Sequence, residues 1–435
     1  MEQVATESIL NDSRRAGTKR ERHVAESDPR TRCPTAPPPP RRALVTPESA
    51  SDEPRVERAD VAQAHRIVVK IGSSSLTSDS GRLDPGRLAA LVEVLAGLYR
   101  QGKSVVLVSS GAVAAGLAPL GLTARPAELS AQQAAASVGQ GLLMGTYGAE
   151  FGRYGIQVGQ VLLTAGDITR RDHYHNARRT LKKLMLLGIV PVVNENDVVA
   201  THEVRFGDND RLAALVAELI GADLLLLLSD VEALYDGDPL AAGTGPVAEI
   251  RGPADLAGIR TGTPGRSGVG TGGMGAKVQA AMTAASAGIP VVLAAAWHAA
   301  RALAGGETGT YFHAARQRPA EQLFWLAHAT APQGRIVLDA DTVRGVREHG
   351  RPVLWTGVSA VEGQFTAGDP VDLADGAGRP VARGLARLAS GDLIRLLAGS
   401  PVPDEGSAVL AYPEVVGAQD VALFAPHPYA ETGSG

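Results

Sequence analysis

The chain of 435 residues has one cysteine, Cys33, so neither an internal disulfide framework nor a cysteine-based metal site can form within it. That scarcity fits a reducing compartment, and a cytoplasmic location is expected. Long hydrophobic runs are also missing. The leucine stretch Leu224 to Leu228 falls far short of the ~20 apolar residues a bilayer span requires, and no basic-then-apolar segment opens the chain. No membrane association is expected. A formal net charge of -4 offers nucleic acid no global attraction, so a small anion would need a built site. Lysine is scarce beside arginine: among 42 basic residues only Lys19, Lys70, Lys103, Lys182, Lys183 and Lys277 are lysines. A lysine retained in a glycine-rich loop of such a chain hints that a compact ammonium is required there.

With 44% hydrophobic and 20% charged residues, the chain has the profile of a globular protein able to bury a sizeable core, and its length suggests two or three domains. Residues 1–62 are rich in Pro, Arg, Ser and Glu and lack apolar periodicity. Through Asp60 they hold 11 acidic and 11 basic side chains, the pattern of a disordered tail with no net pull on nucleic acid or anionic lipid. From His65 the texture changes. RIVVKIGSSSL reads as a buried β-branched strand entering a small-residue loop, followed by a helical pattern over Pro85 to Gln101 and then alternating strands and helices as far as ADLLLLLSD. Apolar runs without polar alternation indicate strands covered on both faces. The expected fold class is therefore α/β, a mostly parallel sheet sandwiched between helices over residues 63–330, with ligands beyond the strand C-termini. Residues 331–422, with short runs punctuated by Gly, Asp and Pro, read as a small mainly-β domain, and 423–435 as a terminal tail.

Five segments can carry chemistry. Lys70 and Gly72 lie where the first strand should end; the lysine can reach anionic oxygens, and the glycine lets a phosphate approach backbone N–H groups. Ser109-Ser110-Gly111 follows the second strand and opens a helix, a setting that favours an anion or serves simply as a tight turn. Asn194-Glu195-Asn196-Asp197 and Gly207-Asp208-Asn209-Asp210 are clusters of carboxylates and amides that can capture an ammonium or a metal, or orient a lysine, or be solvated loops. Gly268 to Lys277 contains a formal GxGxxG, but no acidic residue follows at the dinucleotide spacing. Val278 stands where a P-loop needs Ser or Thr, which leaves a lysine-ended anion cradle at a helix start.

In this order, VVKIGSS, SSGAVAAG, NENDVVA, GDND, LLLLSDVEALY and GTGGMGAK closely resemble the amino acid kinase superfamily, and within it the glutamate 5-kinase family, over residues 65 to 330. GQFTAGDPVDL and ARGLARL resemble the PUA domain that many bacterial members carry. The resemblance implies the amino acid kinase fold with a C-terminal PUA-like domain, and ATP with Mg²⁺ as cofactors. It implies transfer of phosphate to the γ-carboxylate of L-glutamate, giving L-glutamyl 5-phosphate as the first step of proline biosynthesis. Carried over by motif, Lys70, Lys277 and Asp210 would be catalytic, with Asp210 holding the two lysines. The nucleotide would meet Lys70, Gly72, Ser229, Asp230, Thr271, Gly272, Gly273, Met274, Gly275, Ala276 and Lys277, and glutamate would meet Ser110, Gly111, Asp197 and Asn209. No metal-binding protein residue is assigned. Ser229 departs from the expected threonine but keeps the hydroxyl. L-Proline as feedback inhibitor, a glutamyl-phosphate reductase as partner and a homo-oligomeric state are further implications. The competing readings are another carboxylate or carbamate kinase of the same fold, a regulatory pseudokinase, and RNA binding by the PUA-like domain. The last is disfavoured by 12 acidic against 8 basic side chains in residues 333–420.

Overall fold

The computed structural model describes residues 56–424 except 79–80, 200–208, 240, 242, 260–272, 317–320 and 400–413. Most of the expected N-terminal tail, all but the first two residues of the C-terminal one, Thr271, Gly272 and the Gly207-Asp208 half of the second acidic cluster lie outside the described residues. Arg58–Gln63, just ahead of the first strand, forms a 3-10 turn that buries Val61.

Among the described residues the first sheet has eight strands: β1 (Arg66–Ile71), β2 (Ser104–Ser109), β3 (Gln157–Leu163), β4 (Ile189–Glu195), β5 (Leu224–Ser229), β6 (Glu249–Ile250), β7 (Val291–Ala295) and β8 (Thr310–Phe312). Their order is β3-β4-β2-β1-β5-β7-β8-β6, parallel except where β7 meets β8. β1 pairs with β2 on one side and β5 on the other, aligning Lys70 with Val108 and Leu227. Strand order reverses at β1, so the crevice beyond its C-terminal end is the switch point where such sheets bind ligands.

Successive side chains of a strand point to opposite faces, and β1 shows why its sequence need not alternate. Ile67, Val69 and Ile71 pack among Leu88, Leu95 and Leu143, whereas Val68 packs among Leu212, Leu215 and Ala281 on the other face. Lys70 shares the Val68 face, toward helices Asn209–Ile220 and Met274–Ser286. On the first face, helix Pro85–Arg100 starts where the sequence provides both a cap and a proline. Asp84 Oδ1 accepts from the Gly86 and Arg87 N–H groups, and Pro85 occupies the first turn, where its missing N–H removes no helical bond.

The second sheet, of five strands among the described residues, has its own core around Ile336, Leu373 and Val381. Its strands are β9 (Gly334–Leu338), β11 (Val358–Gly363), β12 (Pro370–Ala374), β13 (Pro380–Leu385) and β15 (Val421–Leu423), in the order β11-β9-β12-β13-β15. β10 (Val353–Leu354) pairs separately with β14 (Glu414–Val416). This region also holds two helices, Ala340–His349 and Ser390–Leu397, beyond the strand-and-turn pattern expected for it.

The segment between the sheets is tied to both. Phe324 is buried in the first core, and the Trp325 indole donates to Ile168 O at 2.9 Å. Arg211 donates to His328 O at 3.1 Å, and Arg383 of β13 donates to Thr330 O. Burial, with added repulsion from Arg211 and Arg383, pushes the His328 imidazole down to about 4. Between pH 6.5 and 4 the unfolded chain therefore binds a proton that the folded chain refuses. The contribution is complete above pH 6.5 and is lost as pH falls toward 4. At about 1.4 kcal/mol per pKa unit it is on the order of 3 kcal/mol. Urea midpoints of the wild type and His328→Gln, measured from pH 7.5 to 4, are expected to show a steeper acid loss in the wild type.

Candidate active site

Lys70 and Asp210 are almost wholly enclosed, with side chains 2% and 1% exposed, and Lys277 is 11% exposed. Lys70 Nζ lies 2.5 Å from Asp210 Oδ1, and Lys277 Nζ donates to Asp210 Oδ2 at 2.8 Å. One carboxylate thus holds two ammonium groups that arrive from β1 and from helix Met274–Ser286, 207 positions apart. Asp210 occupies the first turn of helix Asn209–Ile220, where the positive end of the helix dipole adds to its stabilisation. Burying any of these charges alone would be strongly unfavourable; together they are tolerated and still leave surplus positive charge.

Asn209, one residue earlier, joins a second set. Its Nδ2 lies 2.8 Å from Ser110 Oγ, 2.9 Å from Asn194 Oδ1 and 3.2 Å from Ser109 O. Its Oδ1 is buried and has no hydrogen-bond partner among the described residues. Asn194 Nδ2 donates in turn to Gln140 Oε1 at 2.9 Å. Ser109 Oγ and the Tyr147 hydroxyl are 2.8 Å apart, and burial raises the phenol well above its usual range. Gly111 has φ +105°, a left-handed conformation natural to glycine, and starts helix Ala112–Leu117 immediately after Ser110. That helix packs backbone to backbone on helix Leu129–Gly152: a Cβ on Gly139 would stand 1.8 Å from Ala112 O, and one on Gly116 1.9 Å from Ala135 O.

The remaining candidates ring the same end of the sheet. Gly72 adjoins the lysine, since a Cβ there would lie 3.8 Å from Lys70 Nζ. Ser229 is buried at the end of β5 and its hydroxyl donates to Asp230 Oδ1 at 3.1 Å, while Asp230 is exposed. Gly273 precedes helix Met274–Ser286, so Met274, Gly275 and Ala276 form its first turn and not an extended loop. Asp197 lies half-buried in the turn after β4. A cavity of about 750 Å³ opens elsewhere, lined by residues including Arg58, Glu232, Glu249, His298, Arg301 and Glu307, and no candidate residue lines it. The chemistry points to the lysine cluster instead; residues 200–208 and 260–272, which precede Asn209 and Gly273 in sequence, are outside the described residues.

The amino acid kinase family pattern matches residues 65–295, and the PUA domain pattern matches residues 334–400. The glutamate 5-kinase of Salinispora arenicola is 59% identical over 368 residues, 84% of this chain and 100% of its own. That of Streptomyces coelicolor is 58% identical over 343 residues, 79% of this chain and 92% of its own. That of Streptomyces avermitilis is 58% identical over 371 residues, 85% and 99% of the two chains. The chain belongs to the glutamate 5-kinases of the amino acid kinase family. Among solved structures, a carbamate kinase from Giardia lamblia bound to AMP-PNP aligns over 58% of this chain and 100% of its own, at 16% identity and a TM-score of 0.45.

For this glutamate 5-kinase family member, the motifs pointed to Lys70, Asp210, Lys277, Ser110 and Asn209, and the structure brings these side chains into two adjoining clusters. Gln140, which contacts Asn194 behind Asn209, was not among the candidates. Its signal was a lone glutamine within the small-residue helical run ASVGQGLLMG, at a position that proves 8% exposed. Asp210→Asn removes the negative charge that the two enclosed ammonium groups share. It is expected to lower stability by about 3–5 kcal/mol in urea unfolding. Adding Lys277→Met to Asp210→Asn should then cost less than Lys277→Met does in the wild type, because the groups act as one unit.

Proposed function

We propose that this chain transfers the γ-phosphoryl group of ATP to the γ-carboxylate of L-glutamate, forming L-glutamyl 5-phosphate and ADP as the entry step to proline. The observation that carries the reading is the convergence of Lys70 and Lys277 on Asp210 at the sheet's switch point. A glutamate γ-carboxylate, with an ordinary pKa of about 4.3, is already an anion at neutral pH and needs no general base. What it needs is relief from repulsion by the triphosphate, which prearranged cations provide. Asp210 is unsuited to act as a base because each of its oxygens already faces a lysine. In this reading it organises the two amines.

Lys70 and Lys277 would hold the phosphoryl oxygens from two sides. Gly72, Ser229, Asp230 and the stretch Thr271, Gly272, Gly273, Met274, Gly275 and Ala276 would complete the nucleotide site. Mg²⁺ would be carried chiefly by the phosphate oxygens, the usual arrangement for an ion that retains much of its hydration, and would supply further charge neutralisation. Among the described residues no cluster of His, Cys, Asp and Glu is arranged to hold a metal by itself. On the acid side, the buried, unpartnered Asn209 Oδ1 suits the α-ammonium of glutamate. Ser110, Gly111 and Asp197 would line the rest.

The acyl phosphate product is prone to hydrolysis, which favours prompt consumption by a reductase. L-Proline as feedback inhibitor, homo-oligomeric assembly and a cytoplasmic setting complete the reading. Among the described residues no helix is long and apolar enough to cross a membrane.

Full-length protein with ATP, Mg²⁺ and hydroxylamine should form hydroxamate from L-glutamate far faster than from L-aspartate or N-acetyl-L-glutamate. Lys70→Met and Lys277→Met are each expected to lower kcat at least ~100-fold while the KM for glutamate changes less than about threefold. Near-normal turnover by Lys70→Met would overturn the assignment.

A further inference from the structure

An amide side chain has a donor end and an acceptor end, so a row of hydrogen-bonded amides has a direction. Such a row runs from the interior to Asn209. Gln140 Nε2 lies 3.5 Å from Gln160 Oε1, and Gln140 Oε1 accepts from Asn194 Nδ2 at 2.9 Å. The other end of Asn194, its Oδ1, accepts from the Glu195 N–H and from Asn209 Nδ2, both at 2.9 Å. Asn209 therefore turns its donor end inward and keeps its acceptor end, the buried and unpartnered Oδ1, for something else.

The start of the row is held by packing. Gln140 follows Gly139, whose Cα is pressed against the Ala112 carbonyl so closely that no side chain fits. The same helix Ala112–Leu117 begins just beyond Ser110, so Gln140 is held at a set distance from the Ser110–Asn209 pair. A buried glutamine in a run of Ala, Gly and Leu is unfavourable unless its amide is satisfied, and Asn194 supplies that partner.

We propose that Gln140 is a positioning residue, which through Asn194 sets the end of the Asn209 amide that faces the acid substrate and so selects acids bearing an α-ammonium. The inference rests on the reading of Asn209 as a substrate contact. An acceptor left unpaired by a substrate that lacks the donor discriminates strongly, because the buried oxygen then has no partner. Glutarate, which is glutamate without its amine, is the probe.

Wild-type enzyme is expected to use glutarate at least about 100-fold less efficiently than glutamate. Gln140→Met keeps most of the volume but removes the acceptor. It is expected to raise the KM for glutamate about 10-fold or more, leave the KM for ATP within twofold, and reduce the glutamate-to-glutarate preference by a similar factor. Gln140→Glu, which returns an acceptor oxygen toward Asn194, should recover most of that loss. Asn209→Ala serves as the reference, and the double variant Asn209→Ala with Gln140→Met should be little worse than Asn209→Ala alone. If Asn209→Ala impairs glutamate use but Gln140→Met does not, or if the two effects simply add, the positioning role is overturned while the substrate site stands. If Asn209→Ala leaves glutamate use unchanged, the substrate reading falls and the inference with it. Should Gln140→Met fail to fold, Asn194→Ala breaks the same row at its next member, and an unchanged glutamate-to-glutarate preference in that variant would overturn the positioning role.

Discussion

Two enclosed ammonium groups share one enclosed carboxylate, and much of the fold follows from where that group must stand. Lys70 is a β1 residue, so it reaches Asp210 only because β1 presents that position to the face covered by helix Asn209–Ile220. Asp210 meets it because the helix begins at the C-terminal end of the sheet, and Lys277 because its own helix starts beside the same turn. Three buried charges are tolerated only as a set. Counted by themselves the three groups carry one more positive than negative charge, which suits a polyanion. An arrangement that looks like stabilisation in the free protein is therefore better understood as preorganisation for a ligand.

Asn209 and Asp210 are consecutive, yet they serve different neighbours. Adjacent residues on a helix point about 100° apart, so one turn can face two subsites at once. Asp210 faces the lysines, whereas Asn209 faces Ser110 and Asn194, at the ends of β2 and β4. In the proposed reaction this makes the distance between acid and phosphoryl donor a property of a single helical turn. Such rigidity suits a transfer that depends on alignment more than on proton movement. The close backbone contact at Gly116 and Gly139 extends it to the acid side, because those helices cannot slide without collision.

The parallel architecture was legible because three of the motifs, Lys70 with Gly72, Ser109 to Gly111 and Asn194 to Asp197, fall where a buried strand ends, the place where such a sheet presents side chains to a ligand, and the other two open helices. Lys70 looked like the end of an apolar run and proved to be the penultimate residue of β1. Less visible was a partnership between distant positions that no motif carries. Nothing in the sequence links Gln140 to Asn194, because the contact exists only once helix Leu129–Gly152 has packed across the sheet. The helix Ala340–His349 could have been anticipated: Asp339 caps it by accepting from the Thr342 N–H, and Gly350 ends it at φ +57°. Gly and Asp were taken there as turn signals between strands, and the same residues also punctuate helices.

The C-terminal sheet is more than an appendage by its packing. Arg211, next to Asp210 in sequence, donates to His328 O, and Arg383 of the second sheet donates two residues further along the same connecting segment. Phe324 and Trp325 fasten that segment to the first core and to Ile168. The helix that carries Asp210 is thus tied at its start both to the lysines and to the connector that the second domain holds. Two arginines and a histidine at such a junction would repel one another if all were charged. Keeping His328 neutral lowers that repulsion, and an ion pair between Arg383 and Asp372 at 2.7 Å lowers it further. Protonation of His328 would therefore work against this junction, through which the helix turn that carries Asn209 and Asp210 is linked to the connecting segment.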